Sequence, residues 1–301
     1  MIVKFALAQY PISQYRTFSD WVEGTRQWVK DGAEQGAEIL VFPEYGSMEL
    51  VSIFEEAIQK DLVLQTTEIT NWVGRFLETY EQLAVEFGVI IVAPSIPIKV
   101  ADKKYNRAFV VSPNGVEGYQ DKLFMTRFEN EQWDIESPDK VVTVFKYKSI
   151  AFGIQICYDI EFAIGSKLLA ANGADILFVP SCTETVRGAT RVHVGARARA
   201  MENQLFTAVS QTIGDALWSP AVDINYGYAA VYSTPDLGLP EEGIVSIAKP
   251  QDPLWLVTTV DTSLSKTVRE EGAVFNFKDL LRIDCLLDGK SIEVRSVIIE
   301  P

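Results

Sequence analysis

Apolar runs alternate with stretches of helical period along most of this chain. Residues 2–10 (IVKFALAQY) are apolar and β-rich, which predicts a strand. Trp21, Thr25, Trp28 and Val29 recur at spacings near three and four. That period predicts an amphipathic helix over 17–35, stopped by Gly36. Residues 39–43 (ILVFP) predict a short buried strand running into Glu44. Trp72, Phe76, Leu83 and Phe87 predict a helix over 66–87, closed by Gly88, and VIIVAPSIPI predicts a strand over 89–98.

The period then changes. YNRAFVVSP, an Asn-Gly pair at 114–115 and VEGYQDK predict a β-hairpin. VVTVFKYKSIAFGIQIC predicts two strands with a turn near Lys146–Ser149. A helix over 161–172, a strand over 174–181 and an Ala/Arg-rich helix over 188–204 follow. LFTAVSQTI, YAAVYST, GIVSIAK and LWLVTTVD predict the closing strands, and residues 265–301 form a charged tail or arm. Strands joined by helices and mixed with hairpins predict an α/β or α+β layered fold. No linker composition breaks the chain, so one domain is expected.

Composition narrows the function classes. Hydrophobic residues make up 48% of 301, so a full core can form. The formal net charge is -14, which disfavours a nucleic-acid partner. No run approaches the roughly 18 apolar residues of a membrane span, and the N-terminus reads as a strand rather than a leader. A cytoplasmic protein without a membrane partner is expected. Cys157, Cys182 and Cys285 are too sparse for a disulfide framework. His193 is the single histidine, and no cluster of metal-ligand spacing occurs, so no metal is expected. Chemistry must come mainly from carboxylates, lysines and thiols.

Three such groups end apolar runs: Glu44 after ILVFP, Lys122 after GVEGYQD and Cys157 after IAFGIQI. Ligand sites in layered α/β proteins form beyond the carboxyl ends of strands, so the three can converge. A thiol becomes a nucleophile only with a base or a positive charge beside it. Glu44 can take its proton, and Lys122 can stabilise an oxyanion. Cys157 sits at a strand-to-helix turn, where the Tyr158 backbone N–H can point at that oxyanion. Each residue also has a structural reading, as core cysteine, solvated glutamate or surface lysine.

FPEY at 42–45, DKLFMTRFENEQW at 121–133 and GIQICYDIEF at 153–162 resemble, in order, the signature blocks of the nitrilase superfamily of carbon–nitrogen hydrolases. GADILFVPS at 173–181 and ARARAMENQ at 196–204 extend the resemblance over about residues 2–262. It implies a four-layer α-β-β-α sandwich over 1–262, with 263–301 as a C-terminal extension packing on the domain or on a partner subunit. It implies a triad of Glu44 as base, Lys122 as stabiliser and Cys157 as nucleophile, without a cofactor. A second glutamate is implied shortly after the lysine. Glu129 and Glu131 are the candidates, and Glu129 fits the pattern best, with Trp133 as the family's nearby tryptophan. The chain departs from the pattern after Cys157, where Ala163 and Ile164 replace Pro-Glu and Lys167 stands near the family's arginine.

The implied reaction is hydrolysis of a small amide through a thioester. Nitrile or N-carbamoyl amine hydrolysis uses the same triad, and a catalytically silent binding or scaffold protein is the alternative of another class. Glu161 is a further substrate-binding candidate, placed to pair with a cationic substrate or else solvated, and Cys182 is a candidate for lining the pocket. Arg197 and Arg199 can pair with Glu202 on their helix, and His193 is expected to be a packing or interface residue. A homodimer or larger homo-oligomer is implied, with the small residues of 188–204 either facing a second copy or packing on their own sheet.

Overall fold

The computed structural model describes residues 1–282; Cys285 and the end of the expected extension lie outside the described residues. In chain order, β1 (Ile2–Pro11), α1 (Phe18–Glu34) and β2 (Ile39–Val41) come first. Then follow α2 (Glu56–Gln59), α3 (Leu62–Glu68), α4 (Val73–Phe87), β3 (Ile90–Val92), β4 (Ile96–Val100), β5 (Lys103–Ser112) and β6 (Gly115–Asp121). The second half runs α5 (Arg127–Glu131), β7 (Val144–Tyr147), β8 (Ile150–Ile154), α6 (Ala163–Ala171), β9 (Ile176–Ser181) and α7 (Val186–Asn203). It closes with β10 (Phe206–Asp215), β11 (Ile224–Asn225), β12 (Ala230–Tyr232), β13 (Ile244–Ile247), β14 (Leu254–Asp261), α8 (Thr262–Glu271) and α9 (Asn276–Leu280).

The helix ends follow local chemistry. Thr17 caps α1 in a reciprocal capping box with Asp20, and Gly88 ends α4 at φ +67, where a side chain would be strained. Two expectations change. The helix over 66–87 is interrupted by a 3-10 turn at Ile69–Trp72 between α3 and α4. The run over 89–98 is two strands, because Pro94 lies between β3 and β4 and cannot donate to a ladder.

The strands form one continuous path in the order β4-β5-β3-β2-β1-β10-β9-β8-β7. Its two halves enclose a shared core. Val3, Phe5 and Leu7 of β1 face inward with Ile39 and Val41 of β2 and with Phe152, Ile176 and Phe178 of the other half. Ala6, Ala8 and Tyr10 face outward onto Trp21, Val29, Phe76 and Tyr80 of α1 and α4. Leu169 and Ala170 of α6 cover Leu177 on the opposite outer face. The period-two alternation of β1 thus divides the molecule into the four layers, α-β-β-α.

Strand direction places the site. β3, β2, β1, β10, β9 and β8 run parallel to one another. β5 is antiparallel to β3 and β6 antiparallel to β5, so β6 runs with the parallel set. The carboxyl ends of β2, β6, β8 and β9, which lead to Glu44, Lys122, Cys157 and Cys182, therefore share one edge.

Four of the small residues of α7, Ala189, Gly195, Ala196 and Ala200, are buried within the chain, and Gly188 and Ala198 are half-buried. A Cβ at Gly195 would meet the Ile160 carbonyl oxygen at 2.9 Å, so α7 lies tightly against the turn that carries Cys157. The start of the expected extension packs on the same protomer. Arg269 donates to the carbonyls of Asn203 and Gln204 at the end of α7. No helix among the described residues is long and apolar enough to cross a membrane.

Candidate active site

A cavity of about 520 Å³ opens at this edge, lined by Glu44, Lys122, Glu129, Trp133, Cys157 and Cys182 among others. Two residues beside it have left-handed backbone, Tyr45 at φ +53 and Cys157 at φ +49. Non-glycine residues hold this conformation only where the surroundings enforce it, and such strain gathers at functional sites. At Cys157 the backbone leaves β8 and enters a 3-10 turn, Cys157–Glu161, which brings the thiol to the cavity wall.

Lys122 is the hub. Its ammonium donates to Glu44 Oε1 at 2.8 Å and to Glu129 Oε2 at 2.6 Å, and all three side chains are buried. Burial alone would lower the lysine pKa, but the Glu129 and Glu44 carboxylates override it and hold the pKa well above the usual value. Glu129 moves the other way: burial raises its pKa, and the Lys122 charge more than reverses this and holds it below the ordinary range. Glu44 is raised, by burial first and by the Glu129 charge, with Lys122 opposing. A carboxylate made more basic while held by a lysine suits a general base.

Glu129 owes its place to a capping box. Thr126 is the N-cap of α5, and the Glu129 side chain accepts from the Thr126 backbone N–H at 2.9 Å. The same carboxylate accepts from the Tyr45 hydroxyl at 2.8 Å. Glu131 instead pairs with Arg127 on the surface. Geometry therefore brings Glu129, and not Glu131, to Lys122.

The Cys157 thiol is buried, and its Sγ lies 3.6 Å from the Cys182 carbonyl oxygen. Burial, then the Glu44 charge, push its pKa well above the usual thiol value. The resting group is therefore a neutral thiol, whose proton must leave as the sulfur attacks. Cys182 serves through its backbone, whose N–H donates to Glu44 Oε2 at 2.9 Å. Its thiol lies 3.3 Å from Asn225 Oδ1, and burial pushes its pKa up to about 12.

Trp133 walls the cavity, edge-on to Tyr45 with ring centroids 5.1 Å apart. Glu161 also lines it but is engaged by Arg191 at 2.6 Å. His193 is a packing residue: its ring stacks on Tyr228 and bonds Gln211 at 3.0 Å and Tyr232 at 2.9 Å. Burial lowers its pKa to about 4. Arg199 pairs with Glu202 as expected, whereas Arg197 donates to the Glu242 carbonyl. Among the described residues no cluster of His, Cys, Asp or Glu suits a metal ion.

Sequence reasoning passed over Asn106. Its Nδ2 bridges Glu44 Oε1 at 3.0 Å and Glu129 Oε1 at 3.3 Å, fully buried between two carboxylates. A polar side chain inside the run YNRAFVV was the available signal.

A family model described as carbon-nitrogen hydrolase matches residues 4–244. A probable hydrolase of Bacillus subtilis, YhcX, is 30% identical over 280 residues, 93% of this chain and 54% of that protein. This chain thus spans about half of that relative's length. The omega-amidase NIT2-A of Xenopus laevis is 27% identical over 241 residues, 75% of this chain and 78% of that protein. Among solved structures, a mutant amidase from Nesterenkonia sp. AN1 superposes with a TM-score of 0.74 at 16% identity, covering 96% of this chain and 97% of that one. That protein carries the acetamide moiety of fluoroacetamide covalently at its active-site cysteine.

Proposed function

This chain belongs to the carbon–nitrogen hydrolase family, the nitrilase superfamily, and on that premise we propose that it hydrolyses a small amide through a thioester on Cys157. The observation that carries the reading is the buried Glu44–Lys122–Glu129 network on the cavity that Cys157 also lines. Glu44 takes the thiol proton as the sulfur attacks the amide carbon. Lys122 and the Tyr158 backbone N–H stabilise the oxyanion. Glu44 returns the proton to the leaving nitrogen, the carbon–nitrogen bond breaks, and the acyl group remains on Cys157. Glu44 then deprotonates a water that attacks the thioester carbon. The carbon–sulfur bond breaks, and the proton returns to the sulfur as the acid leaves. Glu129, held by Thr126 and Tyr45, fixes the lysine. Trp133, Glu161 and Cys182 shape the cavity around the substrate.

Ammonia release across matched amides, ureido acids and nitriles tests the reaction class. Release from amides, with a mass increase of one acyl group on Cys157 under rapid quench, is expected. Release from nitriles alone would move the reading to nitrile hydrolysis, and no release from any of them would favour a binding protein. Glu44→Gln should lower turnover by about 10²- to 10⁴-fold, the usual range for a general base. His193→Ala should keep most of it, and the reverse would indicate a cysteine–histidine enzyme.

The proposal includes a cytoplasmic location, supported by the free thiols of Cys157 and Cys182. It also includes a homo-oligomer. Support comes from the solvent side of α6 and α7, where Ile164, Leu168, Val194 and Met201 are exposed apolar residues. Light scattering at micromolar concentration should give a multiple of the 33.6 kDa chain mass, and a constant single-chain mass would remove this interface.

A further inference from the structure

We infer that Asp159 is a positioning residue that clamps the Lys122 segment onto the Cys157 turn and thereby sets the spacing between stabiliser and nucleophile. This rests on the roles proposed above for Lys122 and Cys157. Asp159 is buried on the 3-10 turn two residues after the thiol. Its Oδ1 accepts from the backbone N–H of Leu123 at 3.0 Å and of Phe124 at 2.8 Å. Its Oδ2 accepts from Leu123 at 3.0 Å and from the Ile156 N–H at 3.3 Å.

One carboxylate therefore holds the two residues after Lys122 and the residue before Cys157. The segments are far apart in sequence, and neither Leu123 nor Phe124 lies in a strand or helix. The β5–β6 ladder ends at Lys122, whose N–H donates to the Asn106 carbonyl at 2.9 Å, and neither Leu123 nor Phe124 extends it toward the Cys157 turn. The clamp supplies the constraint beyond that point. It also closes the turn in which Cys157 takes φ +49, since the Asp159 N–H donates back to the Ile156 carbonyl at 3.0 Å. The Asp159 carboxylate does not line the cavity, so its action runs through the two segments it joins. A carboxylate is required by the geometry. An asparagine would turn an N–H₂ donor toward at least one of these backbone donors.

A misplacement of about 1 Å between reacting groups costs on the order of 10²-fold in rate. Asp159→Asn should therefore lower kcat by about 10- to 100-fold per titratable Cys157 thiol, with KM changed less than about threefold. Counting active molecules by titrating Cys157 with an acylating substrate analogue, which reacts only through the folded site, removes simple loss of folded enzyme. Leu169→Ala, a cavity in the core under α6, is the control, and at equal loss of Tm it should leave kcat per thiol unchanged. Asp159→Glu keeps the charge but adds a methylene, so kcat should fall there too.

In the unaltered chain, the amides of Leu123 and Phe124 should exchange with deuterium at least about tenfold more slowly than unbonded loop amides. Equal kcat per thiol in the Asp159 variants and the control would overturn the inference, as would fast exchange at both amides. Activity that survives in Cys157→Ala would instead overturn the catalytic reading on which the inference rests.

Discussion

Replacing Cys157 by alanine should lower amide turnover by about 10⁴- to 10⁶-fold, the scale seen when a nucleophile is removed from an enzyme built on covalent catalysis. The fold should survive. The substitution removes one sulfur from a turn held by the Asp159 contacts and by the close approach of Gly195 to Ile160. Alanine can occupy the left-handed backbone about as well as cysteine, so Tm should move by only a few degrees. Cys182→Ala is the companion measurement. Its backbone N–H to Glu44 is retained, so most activity should remain. Activity that persists in Cys157→Ala and vanishes in Cys182→Ala would move the nucleophile to the second thiol.

Lys122→Met should damage stability as well as catalysis. The ammonium is the positive group held between Glu44 and Glu129, and its loss leaves two buried carboxylates bridged by Asn106. Removing one partner of a buried ion pair costs about 3–5 kcal/mol. For a chain of 301 residues that lowers Tm by about 5–8 °C. Catalysis should fall with it, since the oxyanion loses its charged stabiliser.

The pH dependence has a definite sign. In the parent chain Glu129 is held below its ordinary pKa, so its contribution to stability is present above the unfolded value, about 4.3. That contribution is lost as pH falls through the lower folded value. Without the lysine, burial raises both carboxylates, and the variant loses stability as pH rises above about 4.3. The Tm deficit against the parent should therefore be larger at pH 8 than at pH 5. A deficit that does not change with pH would mean that the Lys122 methylenes, and not its charge, hold this part of the core.

The order of strands and helices was largely legible in the sequence, because period two and period 3.6 are local properties of the chain. The 39–43 run, the 105–121 hairpin and the 188–204 helix carry their own pattern and end signals. The breaks that sequence reading missed, at Ile69–Trp72 and around Pro94, interrupt apolar patterns that continue on either side. Periodicity is blind to such breaks.

Glu44, Lys122 and Cys157 were also legible, as polar groups ending strand runs that the resemblance of the surrounding blocks to the family's signatures singled out. Their convergence was decided by strand direction. Lys122 comes to the shared edge because β5 runs against β3 and β6 reverses direction again. The preference for Glu129 over Glu131, drawn from the resemblance, has a physical reason in a capping box, in which Thr126 draws the first of them inward while Arg127 holds the second at the surface. Asn106 and Asp159 were passed over because their partners lie tens of residues away in sequence. Local pattern specifies elements through interactions between near neighbours. Pairing of distant backbone and side-chain groups exists only once the sheet has brought them together, and only the tertiary structure decides it.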